Sequence, residues 1–346
     1  MVNLCFDDVI SSPTLGYPNL AQSGLDPDAF DQTWPRVTPL RLQMYFERFD
    51  LAYQVWSVDG APRGSWYPVS WAWHDFDCDY FALMTTTTIA RLQAREIRVF
   101  FYYHEGDHPG RIITHLDQLC AQHDLPRDCF LLVSANSAAH NLERSWYFPD
   151  HEYFFQYINR YQSAPPIYSY GRDRHFTLLN RTHKWWRAAC MSDLEYHGVL
   201  DHCIWSYNTD CETHDSEQDI PISIGIQPGW RDRMHAFVER GPYWCDGNDD
   251  QDHNDHRRVN LDLWQRSFCH VVIETLFDAD QSGGAFITEK TYKCLKYGQP
   301  FVIVGTAGSL ALLRDRGYRV FDQVIDNSYD LIRDDTQRWL AVRELL

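Results

Sequence analysis

Residues 285–305, AFITEKTYKCLKYGQPFVIVG, decide the reading of the fold. They read as a short helix begun by Thr288, stopped by Gly298 and Pro300, and followed by a buried strand over 301–304. Thr at the N-cap, Gly just past the last turn and Pro beyond it are the expected punctuation of such a helix. Glu289 and Lys290 fall in its first turn. A helix start presents unpaired N–H groups, and with a Lys it suits a phosphate or pyrophosphate. A neighbouring carboxylate suits a sugar hydroxyl, as the acidic residue does in dinucleotide folds. Together they suggest a pocket for a sugar nucleotide. Taken alone, the pair also fits an ordinary charged first turn, where Glu is favourable with the dipole and Lys mildly unfavourable.

Outward from this stretch, apolar runs and helical spacings alternate. Strands are expected at 80–84, 98–103 (RVFFYY) and 129–134 (CFLLVS), with helices at 88–94 and 111–123. Ile112, Ile113, Leu116, Leu119 and Cys120 share one side of the second helix. A second series follows: strand 176–179, helix 185–197, strand 204–207, strand 270–275 (HVVIET), the opening helix, strand 301–304, helix 309–316 and a short strand 318–321. Strand, helix, strand in this order predicts βαβ units and parallel sheets. The class is α/β with two doubly wound halves, 1–165 and 166–346, divided near Pro165-Pro166. Residues 1–65 read as irregular apart from an amphipathic helix near 40–49, and 208–260 as a long acidic, His-rich excursion.

The chain has 346 residues, enough for two domains of ordinary size, and 44% hydrophobic content supports real cores. Aromatic content of 15%, with 13 Trp, fits packing first and sugar or base stacking second. A formal net charge of −17 disfavours a general nucleic-acid binder while leaving room for a local basic cleft. The 10 Cys form no CxxC pair, MVNLCFDDVISS has neither a basic n-region nor an apolar h-region, and no stretch approaches a membrane span. Free thiols in a reducing cytoplasm are therefore expected, the host cytoplasm if the protein is viral. Asn180-Arg181-Thr182 matches a glycosylation sequon, which without a secretion signal reads as chance.

Ligands of doubly wound sheets bind outside the strand carboxyl ends. Arg181 follows the strand HFTLLN and precedes a helix rich in Trp and Arg, where an Arg can grip phosphate with both nitrogens. His183, Lys184 and Arg187 are weaker candidates nearby. The loop His104-Glu105-Gly106-Asp107-His108 directly follows RVFFYY. Its two carboxylates and two imidazoles can supply a general base for an acceptor hydroxyl, with Glu105 or Asp107 first and His104 and His108 as secondary candidates, while its His spacing does not resemble a zinc site. A polar strand-end loop has the same composition. Residues 134–139 (SANSAA) permit close ligand approach or a tight turn. The run 246–256 (DGNDDQDHNDH) lacks the Glu and Gly placement of an EF-hand and reads as a solvated loop. Residues 305–309 (GTAGS) lack the GK[ST] ending of a P-loop. No metal site is expected.

The stretch FITEKTYKCLKYGQPFVIVG resembles the nucleotide-sugar signature of α1,3-fucosyltransferases, a Thr-Glu-Lys block, a helix and G-x-x-P before an apolar strand. Arg181 after its strand and FFYYHEGDHP, similar to the family's loop after a Phe-Tyr strand, extend the likeness more loosely. The layout, with SANSAAHN and WYFPDHEYF, is also similar to bacteriophage glycosyltransferase-like proteins. The specific part covers about a third of the chain and is strongest at Thr288-Glu289-Lys290. The resemblance implies a GT-B architecture, two Rossmann-like domains facing a cleft. It implies that Glu289 contacts the ribose, that Lys290 and Arg181 hold the diphosphate, and that Glu105 or Asp107 is the base of an inverting transfer with no required cofactor. His104 stands where the family has a small residue, and the family's membrane anchor is absent.

The expected function is transfer of a sugar from a nucleoside-diphosphate sugar to an acceptor hydroxyl. That acceptor is a glycan or lipid-linked saccharide, or a hydroxymethylated pyrimidine in phage-type DNA, which would require base flipping. Arg91, Arg95, Arg98 and Arg111 cluster around the N-terminal loop in sequence and keep the DNA option open. The competing class is a non-catalytic carbohydrate-binding or virion-associated module on the same fold, with Trp and Tyr as stacking platforms.

Overall fold

The computed structural model describes residues 1–6, 49–71, 79–153, 171–209, 220, 228–245, 259–278 and 282–346. Two compact units divide the chain, Met1–Phe148 and Pro149–Leu346. The boundary expected near Pro165-Pro166, most of the 40–49 helix and the 246–256 run lie outside the described residues.

In the first unit, β1 (Val2–Phe6), β2 (Tyr53–Ser57), β3 (Ser65–Trp71), β4 (Ile97–Tyr103), β5 (Phe130–Ser134) and β6 (Ser145–Tyr147) form one sheet in the order β2-β1-β3-β4-β5-β6. Every recorded pairing is parallel. Helix α1 (Thr86–Gln93) joins β3 to β4, and α2 (Pro109–Gln122) joins β4 to β5. Alternation sets the facing of β4. Ile97, Val99, Phe101 and Tyr103 are buried in one core with Ile112, Leu116, Leu119 and Cys120 of α2. The helical residues recur at the i, i+4, i+7, i+8 spacing of a core-facing stripe. Arg98, at an alternate position, is exposed over the Trp66 ring.

Two expectations for this unit are corrected. Residues 1–65 are not wholly irregular, since β1 and β2 pair in register from Val2↔Tyr53 to Phe6↔Ser57. Residues 80–84 are a turn, in which Ala82 N–H bonds the Asp79 carboxylate and Met84 N–H bonds the Phe81 carbonyl. Tyr80 and Phe81 look like strand residues because they are apolar, yet they are buried edge-on against Phe101 from a turn.

The second unit carries β7 (Arg174–Asn180), β8 (Cys203–Tyr207), β9 (Ser267–Ile273) and β10 (Phe301–Val304), ordered β10-β9-β7-β8 and all parallel. Helices described end to end in this unit include α3 (Trp185–Tyr196), α4 (Trp230–Glu239), α5 (Leu261–Gln265), α6 (Glu289–Tyr297), α7 (Ser309–Asp315) and α8 (Asp335–Leu345). Val271–Ile273 and all of β10 are buried, as expected of parallel strands covered on both faces. Helix α4 interrupts the expected excursion. The strand expected at 318–321 is not a strand: Val320 is buried in the core from irregular backbone, and Phe321 is left-handed at φ 62°. Helix α8 is clamped to the sheet by buried Arg338, which donates to the carbonyls of Gly305, Ile332 and Phe277 at 3.0, 2.8 and 2.7 Å.

The mixed α/β class with parallel sheets is thus present in both units. Among the described residues no helix is long and apolar enough to cross a membrane.

Candidate functional site

In the second unit the chain runs from β7 to β8 on one side and later returns to β9 on the other. The order reverses between β7 and β9, and the carboxyl ends at such a point leave a crevice for ligands. Arg181 stands immediately after β7 and is exposed. The β9 end leads into Glu274 and Thr275, then through the described part of the following loop to Thr288 and α6.

Thr288 caps α6 as its sequence suggests, its Oγ1 accepting from the Lys290 N–H at 3.5 Å. Gly298 closes the helix at φ +65°, left-handed backbone that costs glycine little. Lys290 turns back over the strand end: Nζ donates to Thr288 Oγ1 at 3.1 Å and to Thr275 Oγ1 at 3.3 Å. It also lies 3.4 Å from Glu289 Oε1. Side-chain exposures of 28% for Lys290 and 19% for Glu289 leave both accessible from solvent while largely enclosed. Glu289 Oε2 is 3.6 Å from Nδ1 of His151, itself buried edge-on against Phe286. Burial opposes ionisation of Glu289, but Lys290, His151 and Lys293 outweigh it and hold the carboxyl well below its ordinary range. A permanently ionised acceptor beside an ammonium suits hydroxyls and phosphate on the same ligand.

The weaker candidates after β7 have structural partners. Arg187 is buried, and its guanidinium donates to the Glu274 carbonyl through Nε at 3.3 Å and a terminal nitrogen at 2.8 Å, and to the Thr182 carbonyl at 3.1 Å. It ties the start of α3 to the residue after β9. His183 Nδ1 lies 2.8 Å from the Tyr207 hydroxyl, which also donates to the Lys184 carbonyl at 3.0 Å. Lys184 is the N-cap of α3 without a side-chain cap bond.

One residue escaped the sequence reading. Glu274 is fully buried. Its Oε1 accepts from Thr288 N–H at 3.2 Å and Thr291 Oγ1 at 2.6 Å, while Oε2 accepts from Thr288 Oγ1 at 2.5 Å. A carboxylate ending the apolar run HVVIE, with Thr288 and Thr291 three apart on a helix start, was the available signal.

In the first unit the loop after β4 gathers His104, Glu105, Asp107 and His108. His104 is buried with Nε2 3.5 Å from Glu105 Oε1. The Tyr103 hydroxyl donates to Asp107 Oδ2 in a short contact. Burial, then the charge of Asp107, pushes the Tyr103 hydroxyl well above its ordinary pKa, so it stays a donor. His108 is the N-cap of α2, its Nδ1 accepting from Gly110 N–H at 2.9 Å. Asn136 ties the neighbouring loop to this one, donating to the Gly106 carbonyl at 2.6 Å and accepting from Ala138 N–H at 2.9 Å. The SANSAA segment is therefore a capped turn. Glu105 and Asp107 are the partly exposed carboxylates of the loop.

Among the described residues no group of three or more His, Cys, Asp or Glu is placed to hold a metal ion. Comparison with known proteins finds no matching family model, no similar curated protein and no similar solved structure.

Proposed function

We propose that this chain is a nucleotide-sugar-dependent glycosyltransferase of GT-B type, with the donor diphosphate at the β7/β9 edge of the second unit. The observation carrying this reading is that two cationic side chains, Arg181 and Lys290, follow neighbouring parallel strands where the strand order reverses, with an ionised carboxylate at Glu289 beside them. In the proposed reaction a carboxylate takes the proton of an acceptor hydroxyl as its oxygen attacks the anomeric carbon. The bond from that carbon to the diphosphate breaks, and Lys290 and Arg181 stabilise the charge that builds on the leaving oxygen. Glu105 and Asp107 are the candidate bases. Asp107 already accepts the Tyr103 hydroxyl on one oxygen, so the reading favours Glu105.

The test is turnover. The protein is incubated with UDP-, GDP-, CMP- and dTDP-sugars and, in separate arms, with oligosaccharide acceptors or hydroxymethylated DNA later digested to nucleosides for mass spectrometry. Sugar transfer that falls at least about a hundredfold in Glu105→Gln, with a smaller fall in Asp107→Asn, supports the assignment. Absence of transfer and of nucleotide release in every arm rejects it.

A further inference from the structure

Glu274 joins the two elements that carry the cations. Its side chain holds the start of α6 through three hydrogen bonds from Thr288 and Thr291. Its carbonyl receives the guanidinium of Arg187 from α3, the helix that follows Arg181. Its own N–H bonds the Val304 carbonyl at 2.9 Å, fixing it to the end of β10. The Thr288 hydroxyl transmits this order outward. It has one proton and two acceptor positions. The proton goes to Glu274 Oε2, and the acceptor side faces the Lys290 N–H at 3.5 Å and Nζ at 3.1 Å. Because Glu274 takes the proton, the hydroxyl presents only lone pairs to Lys290, and the ammonium is aimed by an acceptor whose direction is fixed from inside the core.

We propose that Glu274 is a positioning residue which, through the Thr288 hydroxyl, orients Lys290 for a diphosphate, an inference that rests on the diphosphate reading of this edge. Glu274→Gln tests it while keeping the shape of the side chain. The amide oxygen can still accept from Thr288 N–H and Thr291. The amide nitrogen, placed at the Thr288 hydroxyl, is a third donor to an oxygen whose two acceptor positions are already used, so it competes with Lys290.

Inorganic pyrophosphate is the probe, titrated calorimetrically against wild type, Glu274→Gln, Lys290→Ala and the double variant, with thermal melting as the control for folding. The expected result is binding by wild type, about tenfold weaker binding by Glu274→Gln with a melting temperature close to wild type, and a double variant no weaker than Lys290→Ala alone. Non-additivity of this kind is a readout that a merely structural role would not move. If wild type and Lys290→Ala differ as expected but Glu274→Gln binds like wild type, or if its loss adds fully to that of Lys290→Ala, the positioning role is overturned and the diphosphate reading stands. Failure of wild type to bind pyrophosphate overturns both.

Discussion

The loop after β4 and the edge after β9 occupy equivalent places, each at the carboxyl end of a parallel strand, and they are held in opposite ways. After β4 the loop's own side chains reach only a few residues, Tyr103 to Asp107 four residues on and His108 to Gly110 two residues on, and one longer tie, from Asn136 to the Gly106 carbonyl across 30 residues, joins it to the next loop. After β9 the contacts are long: Glu274 reaches Thr288 and Thr291 across 14 and 17 residues, and Arg187 reaches Glu274 across 87. A loop tied mostly to itself and to one neighbouring loop depends on few distant elements. An edge tied to three distant elements holds Lys290 to a fixed geometry, but only while those elements stay packed, because each buried polar partner depends on the others.

The largest test of this contrast is Arg187→Ala. It leaves the buried Glu274 carbonyl and the half-buried Thr182 carbonyl without their guanidinium donors and should lower unfolding free energy by about 3 kcal/mol in urea denaturation. A loss below about 1 kcal/mol would mean that the long strap does not hold the edge. The acid limb of stability comes next. Burial, then the charge of Lys293, pushes His270 on β9 from 6.5 to about 3. The unfolded chain takes up this proton below about pH 6.5 and the folded chain does not. The contribution of His270 is therefore fully present above pH 6.5 and is lost toward pH 3, by about 1.4 kcal/mol per unit. Denaturation curves of His270→Leu should be flatter than wild type between pH 6.5 and 4.5, and an equal slope contradicts the assignment.

Gly298→Ala places a side chain at φ +65° and should cost about 1–2 kcal/mol, read from the urea midpoint. Little change there would show that the end of α6 relaxes. The smallest effect belongs to the short-range loop. His108→Ala removes the cap of α2, worth about 1 kcal/mol, and should leave pyrophosphate binding at the other edge untouched. A loss of that binding in His108→Ala would break the separation between the two edges.

The same contrast explains what the sequence discloses. The helix from Thr288 to Gly298 and the buried strand after it are written in caps and apolar runs, signals that act over a few residues. So are β4 and α2, where period two and the i, i+4, i+7 spacing coincide with burial. β1 and β2 are five residues each and become strands by parallel pairing across about fifty residues, with β1 also pairing with β3. Parallel ladders of that kind leave no turn signature between their strands. Tyr80 and Phe81 show the converse error, apolar residues packed from a turn. At the site, Arg181, Glu289 and Lys290 stand out as charges at strand and helix ends, whereas the roles of Glu274 and Arg187 depend on long-range bonds that their local sequence only hints at. Helix α8, with Arg338 buried in its first turn, hides in the same way: a buried Arg reads as a surface residue until its carbonyl partners are known.

Calorimetric titration of UDP-, GDP-, CMP- and dTDP-sugars into wild type, Lys290→Ala and Arg181→Ala bears most directly on the β7/β9 edge as a donor site. The account expects at least one sugar nucleotide to bind wild type, and each substitution to weaken it by about thirtyfold, near 2 kcal/mol, with melting temperature little changed. Binding of none of them to wild type, or binding indifferent to both substitutions, would contradict it.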